Sequence, residues 1–253
     1  RISDPEIARS FYRCPRIDLF FIHEDIQFDT IGWGEKIIPK LSETDCGVIG
    51  FAGTTARISA LCGIGLSRAH WRSNYIQHMN KGGMKSCFKN PDRVEFSPVV
   101  SVDGMCLFVS RKVWQEVRFD EKTFPNFHLY DLDFTTAVFR AGYINYICNT
   151  VIVEHFSEGY YTQEWLAATI DFNNKWRGAL PLYVSGFPCI KNLDRYVRSR
   201  EFRFIKAMMK SRGKCSWELI DGLCRQYYRK YPFYRSIVVW FHAYRYRKRW
   251  KRE

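Results

Sequence analysis

Short, nearly continuous runs of apolar residues recur through the first part of the chain, a pattern typical of strands that are covered on both faces. The two clearest runs are residues 17–22 and residues 46–52. Residues 30–41 lie between them and predict a connecting helix. The first run stops abruptly at residues 23–25, His-Glu-Asp. Acids at the carboxyl end of a buried strand are how many α/β sheets present ligands to a crevice.

The middle of the chain predicts further strands. Residues 99–102 and 105–109 are strand-like and are separated by Asp103-Gly104, a turn signal. Residues 146–153 form another apolar run. Residues 54–90 are rich in Gly, Ser and Lys, which predicts a long irregular loop, and loops of that length inside a domain are usually functional.

One amphipathic helix is predicted between these strands. Its apolar residues recur at helical spacing and Gly142 suits its end; they are Phe134, Ala137, Val138 and Ala141. Strands and helices therefore alternate along the chain, and this alternation predicts an α/β fold.

Composition narrows the class of protein. The chain has 253 residues, of which 46% are hydrophobic and 26% charged, so it excludes disorder and fibrous repeats. No apolar run approaches the roughly 20 residues of a membrane span. The nine cysteines are odd in number and none form a C-x-x-C pair. Free, packed cysteines are typical of a reducing compartment, so we predict a cytoplasmic protein.

Charge divides the chain into two parts. The net charge is +13, yet residues 1–189 carry 20 basic against 21 acidic side chains, and residues 190–253 carry 19 against 5. The basic part predicts helices at 198–210, 217–229 and 234–252. Basic residues mixed with aromatic ones suit the surface of an anionic membrane, nucleic acid, or a solvated helical bundle. We favour the membrane surface and rank nucleic acid last.

Four polar residues lie at the ends of apolar elements: Asp25, Asp131, Asp133 and His155. Carboxylates and an imidazole that converge in this way can bind Mg²⁺ or Mn²⁺. Each residue also has a structural interpretation, because an Asp can cap the helix that follows and a single His after a strand is often structural. Spacing alone leaves both interpretations open.

The order of several segments adds to this pattern. The segments are HEDI after LFFI, VDGMCLFVSRKVW, FDE, NFHLYDLDF and VIVEHFSEG. Together they resemble the inverting GT-A glycosyltransferases of the family-2 type. They resemble in particular the branch named after the streptomycin-biosynthesis protein StrF, whose hallmark is H-x-Y-D-x-D-F. The resemblance extends from about residue 17 to residue 176.

The resemblance implies a GT-A-like, Rossmann-related mixed sheet with flanking helices, followed by a basic C-terminal helical extension. We assign residues 1–185 to the glycosyltransferase domain and residues 190–253 to the extension. These enzymes usually begin with a strand that binds the nucleotide base. Only about sixteen residues precede residue 17, so we expect this strand to be missing from the fragment.

The resemblance implies roles for individual residues, because each of them occupies a position of the family's motifs. His23, Glu24 and Asp25 occupy the place of the family's D-x-D motif, which implies that they bind the donor and that Asp25 binds the metal. His155 matches the histidine that completes the metal shell. Asp131 matches the catalytic base; a helix N-terminus lowers the pKa of such a carboxyl and burial raises it, which the sequence leaves open.

The acceptor side of the site follows from the same resemblance. It is expected to include Asp103 and Gly104, which match a loop beside the acceptor pocket, with His128, Tyr130 and Asp133 of the hallmark segment.

We therefore predict an inverting, metal-dependent glycosyltransferase of polysaccharide biosynthesis. It moves a sugar from a nucleotide sugar to a glycan or lipid-linked acceptor, with Mn²⁺ or Mg²⁺, at the inner face of the membrane. Three alternatives stay open: a nucleic-acid-binding protein that uses the basic tail, a metal-dependent phosphoesterase, and an inactive relative.

Overall fold

A computed structural model describes residues 18–64, 69–159, 162–187, 189–210, 216–232 and 234–250. The first of its sheets is mixed and has five strands in the order β1-β10-β3-β11-β8. Strands β3 and β11 are parallel, and the other neighbours are antiparallel. The strand bounds are Leu19–Ile22 for β1, Cys46–Gly50 for β3, Phe96–Val99 for β8, Cys106–Val109 for β10 and Ile144–Cys148 for β11.

A second sheet continues from the first, because β3 and β8 each run on into one of its strands. Its order is β2-β12-β6-β4-β9, with β7 paired to β6. The strands are Ile26–Phe28 (β2), Ala52–Thr54 (β4), Trp71–His78 (β6), Met84–Lys89 (β7), Ser101–Val102 (β9) and Val153–His155 (β12). A short pair, β5 (Ala56–Arg57) with β13 (Leu182–Tyr183), lies beside it.

Seven helices occur in the described parts of the chain. They are α1 (Trp33–Leu41), α2 (Arg111–Glu116), α3 (Tyr130–Arg140), α4 (Gln163–Trp176), α5 (Leu193–Lys210), α6 (Trp217–Lys230) and α7 (Tyr234–Trp250). Helix α3 buries Phe134 and Val138 against the first sheet and ends before Gly142, whose φ is +100°. The predicted α/β class and this amphipathic helix are therefore confirmed.

The first predicted strand differs from expectation. We expected residues 17–22 to be covered on both faces, and residue 17 lies outside the described range. Strand β1 is instead at the edge of its sheet, and Phe20 and Ile22 are 43% and 41% exposed. An unbroken apolar run reports hydrophobicity but not the position of a strand in a sheet, so the prediction of two covered faces is wrong.

The predicted loop at residues 54–90 is also wrong for residues 71–89. Strands β6 and β7 form an antiparallel hairpin there. Its turn is made by Gly82 and Gly83, whose φ angles of +85° and +88° favour glycine. Four of the six side chains of β7 are exposed and polar residues alternate irregularly with apolar ones, so this edge strand lacks the buried apolar pattern that would have predicted it.

Residues 146–153 do not form a single strand. Strand β11 ends at Cys148, and β12 begins at Val153 in the other sheet. The chain changes sheets between them. This change places His155, at the end of β12, beside the turn between β1 and β2.

The three C-terminal helices pack on the rest of the chain. Leu166 of α4 is fully buried in one apolar cluster with residues of α5, α6 and α7, among them Phe204, Met208, Ile220, Leu223 and Val239. Helix α5 also covers Ala56 and Ile58 through Tyr196 and Val197. The change of charge near residue 190 therefore does not coincide with a gap in the packing, and the division into two domains stays a prediction. None of the helices in the described residues has the length and hydropathy to span a bilayer.

Truncation of Leu166 tests whether these helices fold with the sheets. We expect Leu166→Ala to lower the free energy of unfolding by about 2–5 kcal/mol and to leave one cooperative transition, because the cavity lies in a shared core. Ile31→Ala is the control, since Ile31 is 98% exposed, and should change it by less than about 0.5 kcal/mol. Two separate transitions in a denaturant titration followed by circular dichroism would contradict the shared core.

Candidate metal centre and active site

Strand pairing brings together three residues that are far apart in sequence. Residues 23–25 form the turn between β1 and β2, and β2 pairs antiparallel with β12, which places His155 opposite Ile26. The backbone N–H of Phe156 donates to the carbonyl of Asp25 over 3.0 Å. This register places the His155 side chain beside the turn.

His23, Asp25 and His155 each direct one ligand atom to a common point, and these atoms all lie within 4.8 Å of one another. His155 Nε2 is 3.5 Å from Asp25 Oδ2, and His23 Nδ1 is 4.0 Å from Asp25 Oδ1. Two imidazoles and a carboxylate in this arrangement can hold a divalent cation. The predicted histidine and the last acid of the predicted triplet therefore meet.

Neighbouring side chains fix the orientation of both imidazoles. The two N–H groups of Gln77 Nε2 are shared among three backbone carbonyls at 2.8–3.2 Å, so Gln77 Oε1 faces His155 Nδ1 at 3.2 Å and accepts a hydrogen bond from its N–H. His155 Nε2 is then an acceptor directed into the cluster, and it is buried without a hydrogen-bond partner among the described residues. A metal ion fits this donor set because it would satisfy that atom. His23 Nε2 lies 3.3 Å from the Tyr130 hydroxyl, which leaves Nδ1 toward Asp25.

The protonation states also suit a cation. Burial lowers the pKa of His23 and of His155, so both rings are neutral at neutral pH. Burial acts to raise the pKa of Asp25, but a hydrogen bond from Ser157 and the nearby His155 outweigh it and leave that pKa lowered. Neutral imidazoles and an ionised carboxylate are the forms that bind metal.

The Asp131 carboxylate lies at the start of α3, next to Tyr130. The backbone N–H of Gly104, in the turn between β9 and β10, donates to Asp131 Oδ2 over 2.7 Å. A Cβ at Gly104 would lie 2.8 Å from the Cβ of Asp131 and 3.0 Å from the Tyr130 hydroxyl. Glycine is therefore required here for the close approach of the turn to the helix.

The pKa of Asp131 is raised to about 6. Removal of the carboxyl group from water is the largest cause and the nearby Asp103 adds to it, whereas hydrogen bonds from backbone N–H groups of Leu132 and Gly104 act to lower it. Burial therefore outweighs the helix N-terminus, which answers the question that the sequence left open. A carboxylate with a pKa near neutrality suits a general base.

The structure gives Asp133 a packing role that the resemblance does not imply. Because α3 has 3.6 residues per turn, Asp133 faces away from Asp131. It is 1% exposed, and its carboxylate accepts from Trp176 Nε1 over 2.7 Å and from Lys175 Nζ over 2.8 Å. These bonds join α3 to α4, and a contact between Asp133 and the acceptor stays a prediction.

Two further predicted residues lie outside the metal cluster. His128 Nε2 is 3.3 Å from the hydroxyl of Thr162, the N-cap of α4, and burial lowers the pKa of the ring. Glu24 is exposed in the turn between β1 and β2. Their roles at the acceptor and the donor stay predictions.

Sequence reasoning missed Gln77, which orients His155. Gln77 lies on β6, inside the segment predicted as a loop, and no local motif marks a glutamine that acts through a histidine 78 positions away. Only recognition of the hairpin would have placed it next to β12.

The mixed α/β architecture fits the GT-A-like fold that the resemblance implied, and it brings a cluster of side chains that could hold a metal ion near a buried carboxylate. The sequence profile of the glycosyltransferase-like family matches residues 18–175 of this chain, which is more than half of its length. The chain therefore belongs to this family and is a glycosyltransferase. The predicted resemblance to the family-2 type is confirmed, and the StrF-like branch stays a prediction. No curated protein matches the chain significantly.

The raised pKa of Asp131 predicts how stability changes with pH. The pKa of Asp131 is about 6 in the folded state and about 4 in the unfolded state, so the folded protein disfavours ionisation of this group. The free energy of unfolding therefore falls as the pH rises from 4 to 6. Asp131→Asn removes this cost, so we expect its melting temperature to exceed that of the wild type by about 3 °C at pH 7.5 and to approach it at pH 4.5.

Asp120→Asn is the control, because it should change the melting temperature at pH 7.5 in the opposite direction. Hydrogen bonds from Lys175 and Thr123 hold the pKa of Asp120 well below its usual range, so its carboxylate stabilises the fold above pH 4. This variant should melt below the wild type at pH 7.5. Scanning calorimetry at several pH values measures both differences, and the same sign for the two variants would contradict the assignment.

Proposed function

We propose that this glycosyltransferase is inverting and metal-dependent, and that it transfers a sugar from a nucleotide sugar to a hydroxyl of a glycan or lipid-linked acceptor. The observation that carries the proposal is the contact between His23 and Tyr130, with 3.3 Å between Nε2 and the hydroxyl. This contact joins the cluster of His23, Asp25 and His155 to the residue next to Asp131. A cation at the cluster and a base at Asp131 would therefore be close enough to act on the same reaction.

The cluster would hold a divalent cation, which neutralises the negative charge that develops on the departing diphosphate. Asp131 acts on the other reactant: its carboxylate, oriented by the Gly104 N–H, accepts the proton of the acceptor hydroxyl. The acceptor oxygen forms its bond to the anomeric carbon while the bond to the diphosphate breaks, so the configuration inverts. The proton remains on Asp131.

The donor set favours Mn²⁺ over Mg²⁺. Mg²⁺ prefers oxygen ligands, whereas imidazole nitrogen suits softer cations, and two of the three ligands here are imidazoles. His23 stands where the family's motif usually has an acid, so this preference follows from this chain's own residues.

Calorimetric titration of nucleoside diphosphates tests the metal centre. We expect one of UDP, GDP, CDP and dTDP to bind in the presence of Mn²⁺, and Asp25→Ala to weaken this binding at least tenfold because the carboxylate ligand is lost. Asp29→Ala is the matched control from the same hairpin and should bind normally. Equal loss in both variants, or binding that does not need a metal, would contradict the proposed centre.

Asp131→Asn separates binding from chemistry. This variant should bind the nucleotide with Mn²⁺ as the wild type does and lose transfer by at least about 100-fold, since the amide cannot accept the proton. Cleavage of a phosphodiester with no acceptor present would favour the phosphoesterase instead.

We propose further that α7 rests on an anionic membrane surface at the cytoplasmic face, where lipid-linked acceptors are found. Ile237, Trp240, Phe241 and Tyr244 recur at helical spacing and are 66%, 56%, 50% and 46% exposed. The Arg245 guanidinium lies 5.7 Å from the ring of Phe241, so cations border this apolar stripe. An apolar face bordered by basic residues suits an anionic bilayer, which offers hydrocarbon and phosphate together.

Vesicle binding tests this surface. Trp240→Ala with Phe241→Ala should reduce binding to vesicles that contain phosphatidylglycerol at least tenfold, whereas Met84→Ala, which truncates a 66% exposed side chain on β7, should not. Pure phosphatidylcholine vesicles should bind more weakly than the anionic ones. If single-stranded RNA binds more tightly than the vesicles and both variants bind it equally, the basic tail is a nucleic-acid site and the membrane proposal fails.

A further inference from the structure

Arg57 is a buried arginine in which two of the three guanidinium nitrogens have no hydrogen-bond partner among the described residues. It ends the short strand β5 and is 1% exposed. Its Nη1 donates to the carbonyl of Gly63 over 3.1 Å, and its guanidinium carbon lies 4.7 Å from the ring centre of Phe172. Nε and Nη2 are shielded from solvent and have no hydrogen-bond partner among the described residues.

The two unpartnered nitrogens lie on the same edge of the guanidinium plane. Nε–H and one N–H of Nη2 point in parallel, and this edge forms the fork that binds a carboxylate or a phosphate with two hydrogen bonds. Gly63 and Phe172 hold the opposite edge and one face. The residue is therefore oriented for an oxyanion that offers two oxygen atoms and that no described residue supplies.

Such an arrangement is costly to the free protein. An arginine stays charged inside proteins, and a buried charge without a partner destabilises the fold by several kcal/mol. A nearby buried arginine shows the contrast: Arg72 is 2% exposed, and it donates to Asp92 over 2.7 Å and to the carbonyls of Ala69 and Trp71. Among the described residues, Arg57 therefore lacks the oxyanion partner that Arg72 has in Asp92.

Packing places Arg57 near the start of α3, where Asp131 lies. Phe172, which supports the guanidinium, lies in one apolar cluster with Leu129 and Tyr130, the residues that precede Asp131. Asp131 is one of two groups whose charge acts noticeably on Arg57; the other is Cys62, and burial raises the pKa of the Cys62 thiol, which keeps it neutral. The free fork therefore lies near the base that we assign to the acceptor.

We propose that Arg57 binds an oxyanion of the acceptor through Nε and Nη2, either the carboxylate of an acidic sugar or the phosphate of a lipid-linked one. This inference rests on the proposed function, which makes Asp131 the base on the acceptor side. Residues 58–64, which contact the guanidinium through Gly63, form neither helix nor strand. Ile58, Ala60 and Cys62 of this segment lie in the core, whereas Gly63 and Ile64 are only partly buried, so the substrate would reach the fork by displacing Gly63 and Ile64 without breaking a sheet.

Thermal unfolding without added metal tests the proposal, with inorganic phosphate and glucuronate as probes. Wild type should gain melting temperature with at least one probe, because a ligand of the folded state stabilises it. Arg57→Met should melt above the wild type in the absence of both probes, because an unpaired buried charge is removed, and its half-saturating probe concentration should rise at least tenfold. Arg57→Lys keeps the charge but loses the fork, so it should show the same tenfold loss even if the Met variant fails to fold.

Arg72→Met is the matched control. It leaves Asp92 unpaired, so it should melt below the wild type and keep the full response to the probe. If Arg57→Met melts below the wild type and Arg57→Lys responds to both probes as the wild type does, Arg57 is structural and the proposal is overturned. A response to phosphate alone indicates a lipid phosphate, and a response to glucuronate alone indicates an acidic sugar; both support an acceptor oxyanion.

Calorimetry with Mn²⁺ and the nucleoside diphosphate distinguishes an acceptor site at Arg57 from a donor site. Unchanged nucleotide affinity in Arg57→Lys supports an acceptor site, and a tenfold loss assigns the oxyanion to the donor and overturns the proposal. A wild type that binds no nucleotide but responds to the probes through Arg57 would refute the proposed function while leaving the oxyanion site in place.

Discussion

The antiparallel pairing of β2 with β12 is the constraint on which the candidate site depends. It places His155 opposite Ile26 and beside Asp25, and the parallel pairing of β12 with β6 brings Gln77 to the other side of the same ring. A shift of one residue in either register would turn the side chain to the opposite face of the sheet. The metal ligands are therefore positioned by backbone hydrogen bonds of two strand pairs.

Two charged groups of the candidate site, the Asp131 carboxylate and the Arg57 guanidinium, are buried away from water. Asp131 has a raised pKa, and Arg57 has an unpaired fork. Each of them costs stability in the free protein, because a charge interacts less favourably with a protein interior than with water. The same low polarity would strengthen the interactions with a substrate that we propose for both groups. The apolar cluster around Phe172 links the two, since it supports the guanidinium and packs against the start of α3.

Local sequence was most informative where one element carries its own pattern. Helix α3 could be predicted because apolar spacing, a terminal glycine and the hallmark segment coincide there. The hairpin of β6 and β7 could not, because β7 is an edge strand that exposes most of its side chains and has no buried apolar face. Asp131 and Asp133 look equivalent in the motif. Only the helical turn between them shows that one faces the crevice and the other holds Lys175 and Trp176.

The sequence by itself determined the class of fold, the family and the identity of most residues that can carry chemistry, because these depend on residue types in a fixed order. The tertiary structure decided which of these residues meet and in which protonation state they do so. Partners such as Gln77 and Gly104 come from distant segments, and the pKa of Asp131 depends on burial, which is a property of the packed chain. The unpaired fork of Arg57 also depends on the packed chain, because the lack of a partner can be recognised only when the described neighbours are in place.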